Sequence, residues 1–283
     1  MANTLQIDSV VALTLALLER QTILGRLVHR DSQTSFRGGV GDTVRVRVPK
    51  RLDVKEFIKG TPITTTEINE LGVPVKLTKR LYTAVELSDD DLTLSLADFG
   101  AQVLAPQSSG VASGVEQAVA ATMNEATAAS TVTISKAKPL AAVAKAAATF
   151  TTREVPTSGR VLVVGPELEE ILLQMPEVMN TAAAGSPEVI KDGMLTRLYG
   201  FNVYVSPYIT GAVAFTRDAF ALAVVAPAPM VGAESETSAH NGYALRYTRA
   251  AKIDTLSSVS VVHAYVGATQ LDVRQSIPMK VVA

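Results

Sequence analysis

Leu27-Val28-His29-Arg30-Asp31, a turn at Gly38-Gly39-Val40-Gly41-Asp42, and Thr43-Val44-Arg45-Val46-Arg47-Val48 closed by Pro49 form the stretch whose reading decides the fold. Its last part alternates strictly. Val44, Val46 and Val48 fall on one face and Thr43, Arg45 and Arg47 on the other, as a half-buried strand requires. The glycines supply the turn that starts this strand, and Pro49, with no N–H to give a ladder, ends it. Leu27 to Val40 is polar and glycine-containing, so it is expected as an arm rather than as core.

Upstream, Val10 to Leu18 carries apolar side chains at 10, 11, 13, 15, 17 and 18, nearly all round a helix of good formers. Such a helix is expected to be buried against something else. Downstream, Val73 to Leu87 alternates again, with Val73, Val75, Leu77, Lys79, Leu81, Thr83, Val85 and Leu87 at odd positions and Lys76, Thr78, Arg80, Tyr82 and Glu86 among the even ones. At about 3.3 Å per residue that run would extend on the order of 50 Å, far beyond an ordinary strand. One long strand of this kind suits a projecting ribbon, with Lys59 to Gly72 as its tip.

Charge divides across the ribbon. From 37 to 59, Arg37, Arg45, Arg47, Lys50, Arg51, Lys55 and Lys59 face only Asp42, Asp53 and Glu56, a net of +4. From 60 to 98 the net is -4, with Lys76, Lys79 and Arg80 against Glu67, Glu70, Glu86, Asp89, Asp90, Asp91 and Asp98. Two readings stand side by side. The limbs neutralise each other as cross-strand pairs, or part of the complementarity is satisfied by a neighbouring subunit. The second makes Arg45, Arg47, Lys50, Arg51, Lys55, Lys59, Glu67 and Glu70 candidate contacts between subunits.

Beyond the ribbon, Ser88 as cap and Asp89, Asp90 and Asp91 favour a helix start rather than a cation site. A long alanine-rich helix is expected from Pro106 to about Ala129, its stripe Val111, Val115, Ala118, Val119, Thr122 and Met123. Short strands at Thr131 to Ile134, Arg160 to Val164, Phe201 to Val205, Ala212 to Phe215 and Ala221 to Val225 alternate with helices at Pro139 to Phe150, Glu167 to Met175 and Val189 to Leu198. This alternation indicates a separate α/β unit. Gly232 to Asn241, after Ala226-Pro227-Ala228-Pro229, reads as a loop. Tyr243 to Arg249, Val259 to Val266 and Gln270 to Val273 return to sheet.

Composition removes several functions. An apolar fraction of 47% with 19% charged residues over 283 residues suits a globular chain with a substantial core. No run approaches the roughly 18 uncharged apolar residues of a membrane span, so no membrane association is expected. Without cysteine there is no disulfide, thiolate metal site or cysteine nucleophile. With a net charge of -1, no tryptophan and few aromatics, gripping of nucleic acid is not expected. His29, His240 and His263 are the possible imidazole bases, and none lies near a nucleophile elbow; Ser113 imitates one only loosely. Gly38-Gly39-Val40-Gly41 leads into a strand, not a helix, and so is a turn rather than a phosphate loop. No catalytic residue, cofactor or metal is expected, and the chain is not read as an enzyme.

The order of Leu13 to Leu18, His29-Arg30-Asp31, Gly41-Asp42-Thr43-Val44 and Arg45 to Pro49 resembles the N-terminal region of tailed-phage major capsid proteins, in the P22 coat-like branch of the HK97 fold. Leu198-Tyr199-Gly200-Phe201-Asn202-Val203-Tyr204, Arg217-Asp218-Ala219-Phe220 and the close at Val266-Gly267 add to the resemblance. It implies an α+β, HK97-like subunit with an N-arm (1–40), an extended β-hairpin E-loop (41–90), a P-domain with a long spine helix and antiparallel strands (91–135 and 243–283), and an α/β A-domain (136–242). It further implies self-assembly into pentamers and hexamers of an icosahedral shell in the host cytoplasm. The partners implied are a scaffolding protein, a portal protein and packaged double-stranded DNA held without sequence preference. An encapsulin-type nanocompartment shell and, less favoured, a soluble α/β binding protein are the alternatives. The chain has no evident segment for an A-domain insertion or for a fused scaffold.

Overall fold

One long strand, Ser257–Gln270, organises the body of the molecule in the computed structural model. The structure describes residues 7–30, 43–46, 56, 65, 73–88, 100–127, 130–175, 197–229, 232–255 and 257–282. Among them the helices are α1 (Ile7–Gln21), α2 (Leu24–Leu27), α3 (Ala105–Asn124), α4 (Pro139–Thr152) and α5 (Pro166–Leu173). The strands are β1 (His29–Arg30), β2 (Thr43–Val46), β3 (Val73–Lys76), β4 (Lys79–Ser88), β5 (Val132–Ser135), β6 (Val161–Val164), β7 (Arg197–Leu198), β8 (Phe201–Val205), β9 (Ala212–Phe215), β10 (Phe220–Val225), β11 (Glu234–His240), β12 (Tyr243–Lys252), β13 (Ser257–Gln270) and β14 (Ser276–Val282).

β13 is long enough to serve three partners. β12 pairs with its first half and β10 with its second along one edge, while β4 takes the other edge from Ser257↔Ser88 to Val266↔Lys79. β11 extends the sheet beyond β12, and β1 joins β10 in parallel. The second sheet runs β5-β14-β9-β6-β8-β7. Its central runs Val161–Val164 and Ala212–Phe215 are buried throughout because both faces are covered. Leu162, Val164, Ala212 and Ala214 meet α4 and α5 residues such as Val143, Phe150, Leu168 and Leu172. Val161, Val163, Val213 and Phe215 join instead the large core shared by α1, α3 and the first sheet. Phe215 and Phe220 meet edge to face at 5.5 Å where the chain passes from one sheet to the other.

Several expectations change. The Val73 to Leu87 run is not one strand. It breaks at Leu77 and Thr78, so only β3 belongs to the two-stranded ribbon with β2, and β4 lies within the main sheet. The cause is a crossing: Thr78 N–H donates to Val266 O at 3.1 Å. Gly267 lets this close approach happen, since a Cβ there would lie 2.2 Å from Lys76 O. Leu77 is fully buried with Val46, Val75, Ala221, Ala223, Val225 and Tyr265 in a small separate cluster.

α1 buries one face rather than all round, with Val10, Val11, Leu15 and Leu18 inward and Leu13 40% exposed. The expected arm is core at its start: Val28 is fully buried and His29–Arg30 is a strand. The long helix ends at Asn124, five residues early, and Glu125 N–H closes it on Ala121 O. Gly232 to Asn241 contains a strand, β11, whose polar residues suit a sheet edge paired on one side only. The final strand begins at Ser276, not Gln270, and a turn at Val273–Gln275 carries it into the second sheet. Sheet membership also cuts across the expected partition: β5 and β14 sit in the second sheet, and β10 in the first. The ribbon tip, the Asp89 to Asp91 start and most of the Val189 to Leu198 helix lie outside the described residues; Arg197–Leu198 itself is strand.

Candidate assembly surfaces

The N-terminal segment is fastened by a carboxylate buried inside the long helix. Glu116, 7% exposed, accepts Leu24 N–H at 3.0 Å on Oε2 and Gly25 N–H at 3.1 Å on Oε1. These amides open α2, a single turn whose first N–H groups have no partner within the helix. Burial pushes the Glu116 carboxyl up, and the backbone donors oppose that by favouring the charged form. Gly25 is required here, because a Cβ would meet the Tyr243 hydroxyl. Tyr243 in turn shares a 2.9 Å hydrogen bond with Thr22 Oγ1, and the Arg30 guanidinium sits 4.8 Å from its ring centre. Outside this, Glu19 accepts Asn241 Nδ2 at 2.5 Å and meets His240 Nδ1 at 3.1 Å. The Asn241 bond and the imidazole together hold the Glu19 carboxyl below its ordinary value.

A second polar cluster lies inside the main sheet. His263 is 2% exposed, with Nδ1 3.2 Å from Arg80 Nη2 and Nε2 3.3 Å from Thr248 Oγ1. Burial first, then Arg80 and Arg246, lower its pKa to about 4, so the ring is neutral at physiological pH. Arg246 is itself satisfied by Pro227 O at 2.7 Å and Ser235 Oγ at 3.0 Å. The remaining sites named from the sequence have structural neighbours: His29 lies 3.8 Å from Asp218, and Ser113 Oγ bonds Tyr208 Oη at 2.7 Å. Among the described residues no group of three or more His, Asp or Glu is placed to hold a metal ion. No described helix is long and apolar enough to cross a membrane.

Of the charged ribbon candidates, Arg45 is described: it lies exposed on β2, opposite Pro74. Arg47, Lys50, Arg51, Lys55, Lys59, Glu67 and Glu70 lie outside the described residues. Sequence reasoning missed Glu116, which the helix stripe passed over as an ordinary polar position. It also missed Glu86, whose Oε1 accepts Ser257 Oγ at 2.6 Å and both Lys252 Nζ and Thr255 Oγ1 at 3.1 Å. A carboxylate in a strand otherwise flanked by Val85 and Leu87 was its one available signal.

A two-sheet body, a long helix lying against the first sheet, a separate β-ribbon and an anchored N-terminal segment define an HK97-type shell subunit. The family model for phage capsid protein matches residues 71–266, more than half of the chain. The chain belongs to the phage capsid protein family and is a major capsid protein of a phage head. Solved structures share the fold. One from Mycobacterium phage Che8 is 17% identical with a TM-score of 0.62, over 91% of this chain and 90% of that one. The capsid of cyanophage P-SCSP1u gives 14% and 0.61 over 87% and 85%. A virus-like particle from Pyrococcus furiosus gives 12% and 0.52 over 96% and 97%. No curated protein matches the chain.

Proposed function

We propose that this subunit closes as pentamers and hexamers into the icosahedral head of a tailed phage, assembled in the host cytoplasm around double-stranded DNA. The family match over residues 71–266 carries the reading. The net charge of -1 and the absence of tryptophan support a shell that confines DNA without gripping it. A scaffolding protein and a portal protein are the further partners of that assembly. Residues 1–40 act as N-arm, 41–90 as E-loop, 91–135 with 243–283 as P-domain and 136–242 as A-domain, save that β4 and β10 build the first sheet and β5 and β14 the second. Arg45, Arg47, Lys50, Arg51, Lys55 and Lys59 then meet acidic partners such as Glu67 and Glu70 on a neighbouring copy. Such contacts are heterologous, and they end in a closed particle when the rotation between copies closes.

The test is to express the chain with and without its scaffolding protein, then measure sedimentation, negative-stain images and nuclease-protected nucleic acid in heads from infected cells. Closed particles whose contents are genomic DNA of mixed sequence agree with the proposal. Particles that hold a dedicated protein cargo instead would make this an encapsulin-type shell.

A further inference from the structure

We infer that Asn241 is a site of spontaneous deamidation, and that the carboxylate formed there frees the end of α1 from the β11–β12 hairpin. Nothing in this depends on what the subunit assembles into. Of the six asparagines in the chain, only Asn241 precedes a glycine. An Asn-Gly pair by itself is an ordinary turn. Here the fold enforces the pair and gives its amide a task. His240↔Tyr243 closes a two-residue hairpin in which Asn241 and Gly242 have φ of 49° and 77°. Both values lie in the left-handed region that such a turn needs. Position 242 is held to glycine, because a Cβ there would also lie 2.7 Å from Arg30 Cβ. Asn241 is exposed, and among the described residues no acceptor meets Gly242 N–H.

That backbone nitrogen is the nucleophile. It attacks Asn241 Cγ and closes a succinimide ring; the Cγ–Nδ2 bond breaks, and the amide nitrogen leaves as ammonia with the proton that the Gly242 nitrogen loses. Water then opens the imide. Addition at Cγ gives aspartate, and addition at the backbone carbonyl gives isoaspartate, whose main chain runs through Cγ. The sum is one water in and one ammonia out, with no oxidant or reductant.

The reaction inverts one contact. Asn241 Nδ2 donates to Glu19 Oε1 at 2.5 Å, and His240 Nδ1 meets Glu19 Oε2 at 3.1 Å. Glu19 lies in the last turn of α1, so these bonds tie the helix end to the hairpin. The Asn241 bond foremost, with His240 and Arg30 behind it, outweighs burial and keeps the Glu19 carboxyl below its ordinary value. Glu19 is therefore charged near neutrality. Replacing its amide donor by a second carboxylate sets like charges at hydrogen-bonding distance, and the pair must share a proton or part. Isoaspartate also lengthens the main chain of a turn that fixes the strand register.

The test ages the full chain at mildly alkaline pH and follows the amide-to-acid exchange at each asparagine by peptide mass spectrometry. Asn241 should convert before the others. Hydrogen exchange at residues 17–21 should quicken as it does, and freshly made Asn241→Asp should show the same quickening. Adding Glu19→Gln to Asn241→Asp should restore slow exchange, because an amide then donates across the same contact. Asn241→Gly, which suits both positive φ angles, should not change on ageing. An Asn241 that keeps its amide, or converts no sooner than the other asparagines, would overturn the site. Unchanged exchange in Asn241→Asp, no recovery with Glu19→Gln, or the same ageing in Asn241→Gly would overturn the release.

Discussion

The N-terminal segment and the β2–β3 ribbon are both joined to the first sheet and its core, yet by different physics. Residues 7–30 are fixed by an apolar helix face and by a buried carboxylate that completes the hydrogen bonding of α2. The ribbon joins the body through a small apolar cluster around Val46, Val75 and Leu77. Apolar contacts are non-directional and tolerate sliding. A buried charge with two backbone donors does not, since displacing it leaves N–H groups and a carboxylate unpaired in low dielectric. The comparison teaches that the arm should release in one abrupt step and the ribbon should adjust by degrees.

The largest expected effect breaks the arm. Glu116→Ala leaves the Leu24 and Gly25 amides without a buried acceptor, at about 4 kcal/mol for two such groups. Thermal melting should show that loss, and hydrogen exchange should show the 24–28 amides opening while those of β2 and β3 stay unchanged. Equal loosening of both regions would erase the distinction drawn here.

Acid should act on the body that both regions share. Unfolded His263 takes up a proton near 6.5 and the folded ring only near about 4. Between those values the unfolded chain binds more protons, so stability falls as pH drops through this window, by up to about 3 kcal/mol. Glu116 works the other way: its raised pKa lets the folded state hold the proton longer above 4.5, so it does not produce the acid loss. Denaturant titrations from pH 7 to 4 should show the decline, and His263→Gln should flatten it.

At the ribbon's base, Leu77→Ala removes a fully buried side chain from a small cluster. About 2 kcal/mol is expected, at the low end for such truncations because the site can collapse. Exchange should rise in β2 and β3 and not at residues 24–28. The smallest effect on the isolated subunit belongs to the ribbon's charges. Reversal of Arg51 and Lys55 to Glu should cost under about 1 kcal/mol of stability. If those residues dock on a neighbour, shells nonetheless fail, because the repulsion recurs at every copy, and salt restores them in part.

These contrasts also explain what was legible in the sequence. Thr43 to Val46 declared itself because Val46 is core while Thr43 and Arg45 are exposed. Val161–Val164 and Ala212–Phe215 did so because two covered faces need unbroken apolar runs. The break at Leu77–Thr78 was hidden, since it arises from a crossing over Gly267, far away in the chain. β11 was hidden by its own polarity: Glu234 to His240 is an edge strand, and its hydrophobic signal is absent because most of its side chains stay exposed. Glu116 and the partners of His263 were hidden for a different reason, although His263 itself reads as a packed strand histidine and is one. A polar residue's partner, whether a distant backbone amide or a guanidinium on another strand, leaves no period in the sequence. The family resemblance was readable where alternation and turn glycines coincide, near Gly41 to Pro49. Seven of the eight proposed contact residues lie outside the described structure, so their role rests on charge pattern alone.

The most direct measurement is electron microscopy of the purified, assembled protein alongside its sedimentation profile. Closed icosahedral particles, built of pentamers and hexamers and far larger than any small oligomer, are the predicted result. A chain that sediments as a monomer or small oligomer under every assembly condition, co-expression with scaffolding protein included, would contradict the account.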